Sequence, residues 1–219
     1  LGSVSVICSD KTGTLTRNEM MVASMATPQR TYSVTGSGYA PEGRINGETD
    51  QDTPLPPAAA QSFARVARLC NDAELVHAAD GWRVAGDPME GALKAFASKI
   101  ATDTSKTWKR TDAIPFDATR QYMAVLDHDH RGHAAIHIKG APEKILAMCR
   151  SQQRENGNTE PIDHELWRRK VESIAARGQR VLAFATREIP QEKVVLNVED
   201  VEGQTIFLGL VGLIDPPRP

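Results

Sequence analysis

The sequence predicts a mixed α and β fold in which neighbouring strands run antiparallel. Three observations lead to it. Apolar residues recur at helical spacing in segments that open on Pro57, Pro88, Pro142 and His164, while short β-branched or apolar runs elsewhere read as strands. Met123 to Asp127 and Ala134 to Ile138 are separated by one polar turn containing Gly132, which makes them spatial neighbours of opposite direction. The 219 residues contain no internal repeat and no low-complexity tract, so a layered domain of ordinary size is expected.

Taken in order, Leu1 to Ser9 is a short apolar run suited to a buried strand that ends at Asp10, where Gly13 breaks it into a loop. Met20 to Thr35 reads as strands, followed by turn residues Gly36, Gly38, Pro41, Gly43 and the Asn46-Gly47 pair. Gln51 to Pro57 is a polar link, and Pro57 at a first helical position opens a helix ending near Asn71. Trp82 to Ala85 is a strand. Asp87 can cap the next helix, with Pro88 in its first turn and Glu90 where a capping box places an acid. After the hairpin come a helix from Pro142 to about Cys149, a polar loop, and a helix from His164 to Arg177 that Gly178 stops. Arg180 to Ala185 and Thr205 to Ile214 close the chain as strands.

Composition narrows the function classes. Lys and Arg number 26 against 28 Asp and Glu, a net charge of -2 without long runs of either sign, which argues against a nucleic-acid partner or a polybasic membrane-surface contact. Cys8, Cys70 and Cys149 form no disulfide pattern and fit a reducing compartment. The longest apolar run, Ile206 to Ile214, is far short of the roughly 18 residues a membrane helix needs. The apolar opening at Leu1 and the Pro-rich close at Pro219 lead us to expect a piece of a longer chain.

The chemistry concentrates in a few strings. Asp10, at a strand end before Lys11 and a Thr/Gly-rich loop, is a sensible phosphoryl acceptor. Lys11 brings positive charge, Thr12 and Thr14 bring hydroxyls, and Gly13 lets backbone amides approach phosphate oxygens. The plain alternative is a strand end capped by a polar turn. Lys139 at a strand end, beside Gly140 and the start of a helix, combines an ammonium with a helix N-terminus, both favourable to an anion. Glu90 reads as a helix cap, Phe116 as a core ring, and Arg180 as a solvated strand opener, unless a ligand claims them.

DKTGTLT (Asp10 to Thr16), continued by Asn18 and Met20, resembles the signature of P-type ATPases over its whole length. DPMEGAL (Asp87 to Leu93), IPFDATRQYM (Ile114 to Met123), KGAPE (Lys139 to Glu143) and DPPR (Asp215 to Arg218) resemble further landmarks of that family, in the family's order. The resemblance implies an α+β fold with an antiparallel β-sheet packed with helices over residues 21–202. It also implies short segments of a discontinuous haloacid-dehalogenase-like phosphorylation domain at residues 1–20 and 203–219, the latter a return strand and DPPR hinge. It implies ATP as substrate and Mg2+ as cofactor. The catalytic residues would be Asp10, Lys11 and Thr12, with Asp10 and Thr12 on a Mg2+ site completed by carboxylates beyond Pro219. The nucleotide would be met by Glu90 at the adenine amino group, a stacking Phe116, Arg120, Met123, Lys139, Gly140 and Arg180. Many relatives have Lys where Gln121 stands, and Arg120 is the neighbouring source of charge.

The partners implied are the phosphorylation, actuator and transmembrane domains of the same parent, making this a cytoplasmic portion of a membrane protein that itself touches no membrane. The stretch Tyr32 to Ile45 looks like the calcium-pump and sodium/potassium-pump branch, which favours calcium. Thr12 stands where related hydrolases carry a second Asp, so a stand-alone dehalogenase-like phosphatase is the weaker alternative. A non-catalytic nucleotide-binding module is the other. The fragment itself is expected to hold ATP without turnover.

Decoys fail on spacing. No phosphate-loop string occurs, Gly36-Ser37-Gly38 lacks the third Gly of a dinucleotide fingerprint, and HELWR from His164 has Arg where a zinc protease needs His. His128, His130, His133 and His137 read as part of a hairpin turn, with metal coordination as the alternative.

Overall fold

The computed structural model describes residues 19–50, 53–79, 81–100 and 107–215. The strand expected at residues 1–9 and the DKTGTLT loop lie outside them, as do the last three residues of DPPR. Among the described residues, twelve strands and four α-helices follow one another. They are β1 (Met21–Ala26), β2 (Thr31–Val34), β3 (Ile45–Gly47), α1 (Pro57–Leu69), β4 (Glu74–Ala78), β5 (Gly81–Ala85), α2 (Pro88–Ile100), β6 (Trp108–Asp117), β7 (Tyr122–Asp129), β8 (Ala134–Gly140), α3 (Pro142–Met148), β9 (Cys149–Gln153), β10 (Thr159–Pro161), α4 (His164–Ala175), β11 (Arg180–Ile189) and β12 (Thr205–Ile214).

Ten of the strands form one sheet with the order β3-β2-β1-β12-β11-β8-β7-β6, and β4 and β5 make a separate hairpin. All pairings along that path are antiparallel. The exception off the path is β9, which joins the first residues of β12 in parallel and carries β10 on its other edge. This is the predicted α+β class. The segment from residue 203 was expected as a return piece outside the nucleotide-binding unit. Its strand, β12, lies between β1 and β11 in the sheet.

The period-2 alternation of the central strands divides the core between two faces. Leu182 and Phe184 of β11, with Met123 and Val125 of β7, point to the face covered by α1 and α2, where Phe63, Phe96 and Leu93 fill the layer. Ala183 and Ala185, with Ala124 and Leu126, point to the opposite face, which α3 and α4 cover with Ile145, Trp167 and Ile174. Trp167 is fully buried, packs 4.6 Å from the Phe207 ring, and its indole donates to Gln152 Oε1 at 2.7 Å. The result is a sheet with helices on both faces.

The helix starts follow their local chemistry. Pro57 and Pro142 occupy first-turn positions whose N–H would be unpaired in any case. Asp163 accepts from the Leu166 amide at 2.9 Å and caps α4, and Gly178, at φ +73°, takes the left-handed conformation that ends the chain's turn after it. Three segments differ from expectation. Asn46-Gly47 lies in β3 rather than in a turn, because Tyr32 and Ser33 pair with it across the ladder. The polar stretch after α3 holds β9 and β10, where Gln152 is buried and serves Glu160, Asp163 and Trp167. His137 stands in the buried face of β8, not in the turn, and burial pushes its imidazole down to about 3.

Asp127 is a second buried titratable group, 1% exposed, and burial pushes its carboxyl from 3.8 up to about 6. The folded state therefore holds the proton more tightly than the unfolded chain does. Its contribution to stability is full below about pH 4 and is lost as pH rises through about 6. Asp127→Asn should consequently gain stability relative to wild type across that window, on the order of 2–3 kcal/mol in the difference between urea unfolding free energies. A difference that stays flat from about pH 4 to about pH 7 would contradict the burial account.

Candidate nucleotide site

The site begins with a turn. Asp117 ends β6 and its carboxylate accepts from the amides of Thr119 and Arg120 at 2.9 and 3.1 Å, holding residues 118–121 in a tight reversal and lowering the Asp117 pKa. Gln121 closes it at φ +61°, a left-handed conformation uncommon for a residue with a side chain. Its carbonyl accepts from the Ala141 amide at 2.9 Å, which ties the turn to the end of β8. That approach needs Gly140, since a Cβ there would lie 2.5 Å from the Gln121 carbonyl oxygen and 2.7 Å from Tyr122 Cβ.

Around this junction opens a cavity of about 390 Å³, a size suited to a small molecule. Met89, Ala118, Pro142, Val181 and Leu182 give it apolar walls, Phe116 and Gln121 stand at the turn side, and Lys139 and Arg180 supply cations. Phe116 is 59% exposed although it is a large apolar ring. The core reading of Phe116 therefore fails: the ring stands largely in solvent beside the cavity.

Lys139 is nearly buried, with its side chain 6% exposed, and its ammonium donates to Glu90 Oε1 at 2.5 Å. The other Glu90 oxygen accepts from the Asp72 amide at 3.0 Å. The cap of α2 is Asp87, whose Oδ1 takes the Met89 and Glu90 amides at 2.9 and 3.1 Å. Glu90's carboxylate is thus committed to Lys139 and Asp72 rather than to a capping box. An ammonium has three donors, and Glu90 uses one, so Lys139 keeps capacity toward the cavity it lines. The helix start contributes less than the sequence promised, because α3 has seven residues and the Ala141 amide is already taken by Gln121.

The structure thus brings together Phe116, Lys139, Gly140 and Arg180 on one cavity, with Glu90 one ion pair behind it. Two residues do not join them. Met123 is 2% exposed in the core beneath α1, and its carbonyl accepts from the Cys70 thiol at 3.5 Å. Arg120 turns back and donates to the Pro115 carbonyl at 3.3 Å, so the turn presents Gln121 and not Arg120 at the rim. Met89, inside the DPMEGAL string, and Leu182, two residues after Arg180, are wall residues to which the sequence reading gave no role. Asp10, Lys11 and Thr12 lie outside the described residues.

A larger cavity, about 470 Å³, lies at the other end of β8 against Arg65, Trp108, Asp129, His133 and Glu188. Several of its polar groups are engaged within the chain. Asp129 accepts from the Arg131 and His133 amides and from His133 Nδ1 at 2.8 to 2.9 Å, and the Arg65 guanidinium lies 5.0 Å over the Trp108 ring. His128 binds Thr111 and the Gln191 carbonyl, and His137 packs against Trp108. Among the described residues, no three His, Cys, Asp or Glu side chains gather to hold a metal ion. No described helix is long and apolar enough to cross a membrane.

Residues 59–219 match the family model described as P-type ATPase, cytoplasmic domain N. The whole chain is 41% identical to the "Cation-transporting ATPase pma1" of Synechocystis sp., of which it spans 25%. It is 37% identical to the "Probable cation-transporting ATPase F" of Mycobacterium tuberculosis and 31% identical to the "Endoplasmic reticulum calcium ATPase srcA" of Aspergillus fumigatus, spanning 24% and 27% of those chains. With 161 of its 219 residues on the family model and an antiparallel sheet packed with four helices, the chain belongs to the P-type cation-transporting ATPase family, as its cytoplasmic domain N.

Proposed function

We propose that the cavity between the 118–121 turn, β8 and β11 binds ATP, and that the parent protein uses this ATP to phosphorylate Asp10 and drive cation transport. The observation that carries the reading is the exposed Phe116 ring at the mouth of a cavity whose inner cations are Lys139 and Arg180. The base stacks on Phe116, with the apolar wall of Met89 and Leu182 excluding water. Arg180 is exposed and makes no hydrogen bond or ion pair among the described residues, which leaves its guanidinium available to phosphate oxygens. Glu90, within the buried pair, sets the position of Lys139, and the resemblance to the family assigns it the contact with the adenine amino group.

In the parent, an Asp10 carboxylate oxygen attacks the γ-phosphorus, the bond to the bridging oxygen breaks, and ADP leaves with that electron pair. Lys11 and Thr12 stabilise the transferring group. Mg2+ supplies charge neutralisation on the phosphates when bound; Asp10 and Thr12, outside the described residues, are its expected ligands. Thr12, rather than a second Asp, leaves the aspartyl phosphate without a neighbouring carboxylate base. The intermediate then lasts long enough to power a conformational cycle, which favours a pump over a phosphatase. Calcium is our first assignment for the ion, supported by the Tyr32 to Ile45 stretch and by relatives named calcium ATPases. The chain by itself holds ATP without turnover, a cytoplasmic piece whose partners are the other domains of its parent.

Titrating the chain with ATP by calorimetry or amide NMR shifts tests the cavity. Phe116→Ala should weaken binding about ten-fold, the scale of one lost base–aromatic stack. Arg180→Ala should weaken it several-fold, on the order of one charge-assisted hydrogen bond, and flatten its salt dependence. Wild-type affinity in both variants would sink the assignment. For the chemistry, full-length parent incubated with labelled ATP should yield an acid-stable, hydroxylamine-sensitive phosphoprotein that Asp10→Asn abolishes; label retained in that variant would place the acceptor elsewhere.

A further inference from the structure

We propose that Arg110 and Asp72 are positioning residues for the nucleotide site, acting through Glu90; the proposal rests on the ATP reading of the Lys139 cavity. Arg110 lies on β6, the edge strand of the sheet, where a charged side chain ordinarily needs no partner. Here both terminal nitrogens of its guanidinium are engaged. One arm donates to Asp72 Oδ1 at 2.5 Å, and the other donates to the carbonyls of Leu69 and Asn71 at 2.7 and 3.0 Å. Those carbonyls belong to the end of α1 and the residues just after it, groups a helix terminus leaves without intrahelical partners.

The consequence reaches the cavity in two bonds. With both its carbonyl neighbours and its carboxylate held, Asp72 presents its amide to Glu90 Oε2 at 3.0 Å. Asn71 reinforces the same junction, its Nδ2 donating to Ala67 O at 3.0 Å and to the Glu90 carbonyl at 2.8 Å. Glu90 is therefore gripped on one oxygen by the segment that Arg110 clamps, and on the other by Lys139. Without the clamp, the carboxylate keeps only the ammonium as partner and can follow it or draw it away from the cavity. Arg110 also stands directly across the ladder from the buried Asp127, so both side chains share the α1 face of the sheet.

A structural role alone would lower stability without touching the affinity of the folded chain. A positioning role lowers affinity through Glu90, and only while Glu90 is present. ATP titrations of the chain with Arg110→Gln, Asp72→Asn, Glu90→Gln and the Arg110→Gln/Glu90→Gln pair separate the two, with folding followed by urea denaturation. We expect Arg110→Gln and Asp72→Asn each to weaken ATP binding about five-fold, and Arg110→Gln to add less than about two-fold once Glu90 is Gln. Asp72→Asn keeps the amide at an exposed position and so reports even if Arg110→Gln does not fold. Wild-type affinity in both single variants, or fully additive losses in the pair, would overturn the proposal while leaving the ATP reading intact. If wild-type chain does not bind ATP, or Phe116→Ala binds as well as wild type, the ATP reading itself fails and the proposal with it.

Discussion

A nearly buried ion pair, Lys139 to Glu90, governs how this domain is put together around its cavity. It joins the end of β8, deep in the sheet, to the first turn of α2 on the face above. Removing one member of such a pair leaves the other charge buried and uncompensated, at a cost of about 3–5 kcal/mol, so the two elements are bound to a common geometry. Everything adjacent is arranged to suit it. Asp87 relieves Glu90 of the capping duty its position invites, and the Asp72 amide occupies the carboxylate oxygen that Lys139 leaves free. Gly140 lets the 118–121 turn close against the strand that carries the ammonium.

The cavities at the two ends of β8 show why charge alone does not mark a site. At the far end of β8, Asp129 and His133 satisfy one another and the Arg65 guanidinium lies on Trp108, although its Nε has no hydrogen-bond partner among the described residues. At the near end, Phe116 is exposed, Arg180 has no partner among the described residues, and Lys139 has donors beyond the one that Glu90 takes. What sets the near end apart is an exposed aromatic ring standing beside two cations. The electrostatics are local, since the net charge of -2 makes no long-range field of consequence.

Much of the fold was legible because local chemistry and tertiary packing agree. Pro57, Pro88 and Pro142 announce helices that form where they indicate, and the β7–β8 hairpin follows from its alternation and turn. What the sequence hid depends on neighbours. Residues 109–112 of β6 are polar because the strand lies at the sheet edge, so no hydrophobic alternation betrays them. β9 reads as a polar loop because Gln152 is buried by virtue of its hydrogen bonds, not its apolarity. Within the site, Lys139, Phe116 and Arg180 were visible in strings of contiguous sequence. The Arg110 clamp was not, because its two ends are 38 residues apart and meet only when β6 pairs with β7. Arg120 and Met123 mislead for the opposite reason: they share a string with Phe116, but the turn sends one back to Pro115 and the strand's alternation sends the other into the core.

The central claim is that adenine lies on Phe116 beside Lys139, with its phosphates toward Arg180. Intermolecular nuclear Overhauser contacts between the adenine ring protons of bound ATP and assigned side chains of the chain test it directly. The account predicts contacts to the Phe116 ring and to Met89 and Leu182. Contacts to Trp108 and its neighbours at the other end of β8, with none to Phe116, would contradict it.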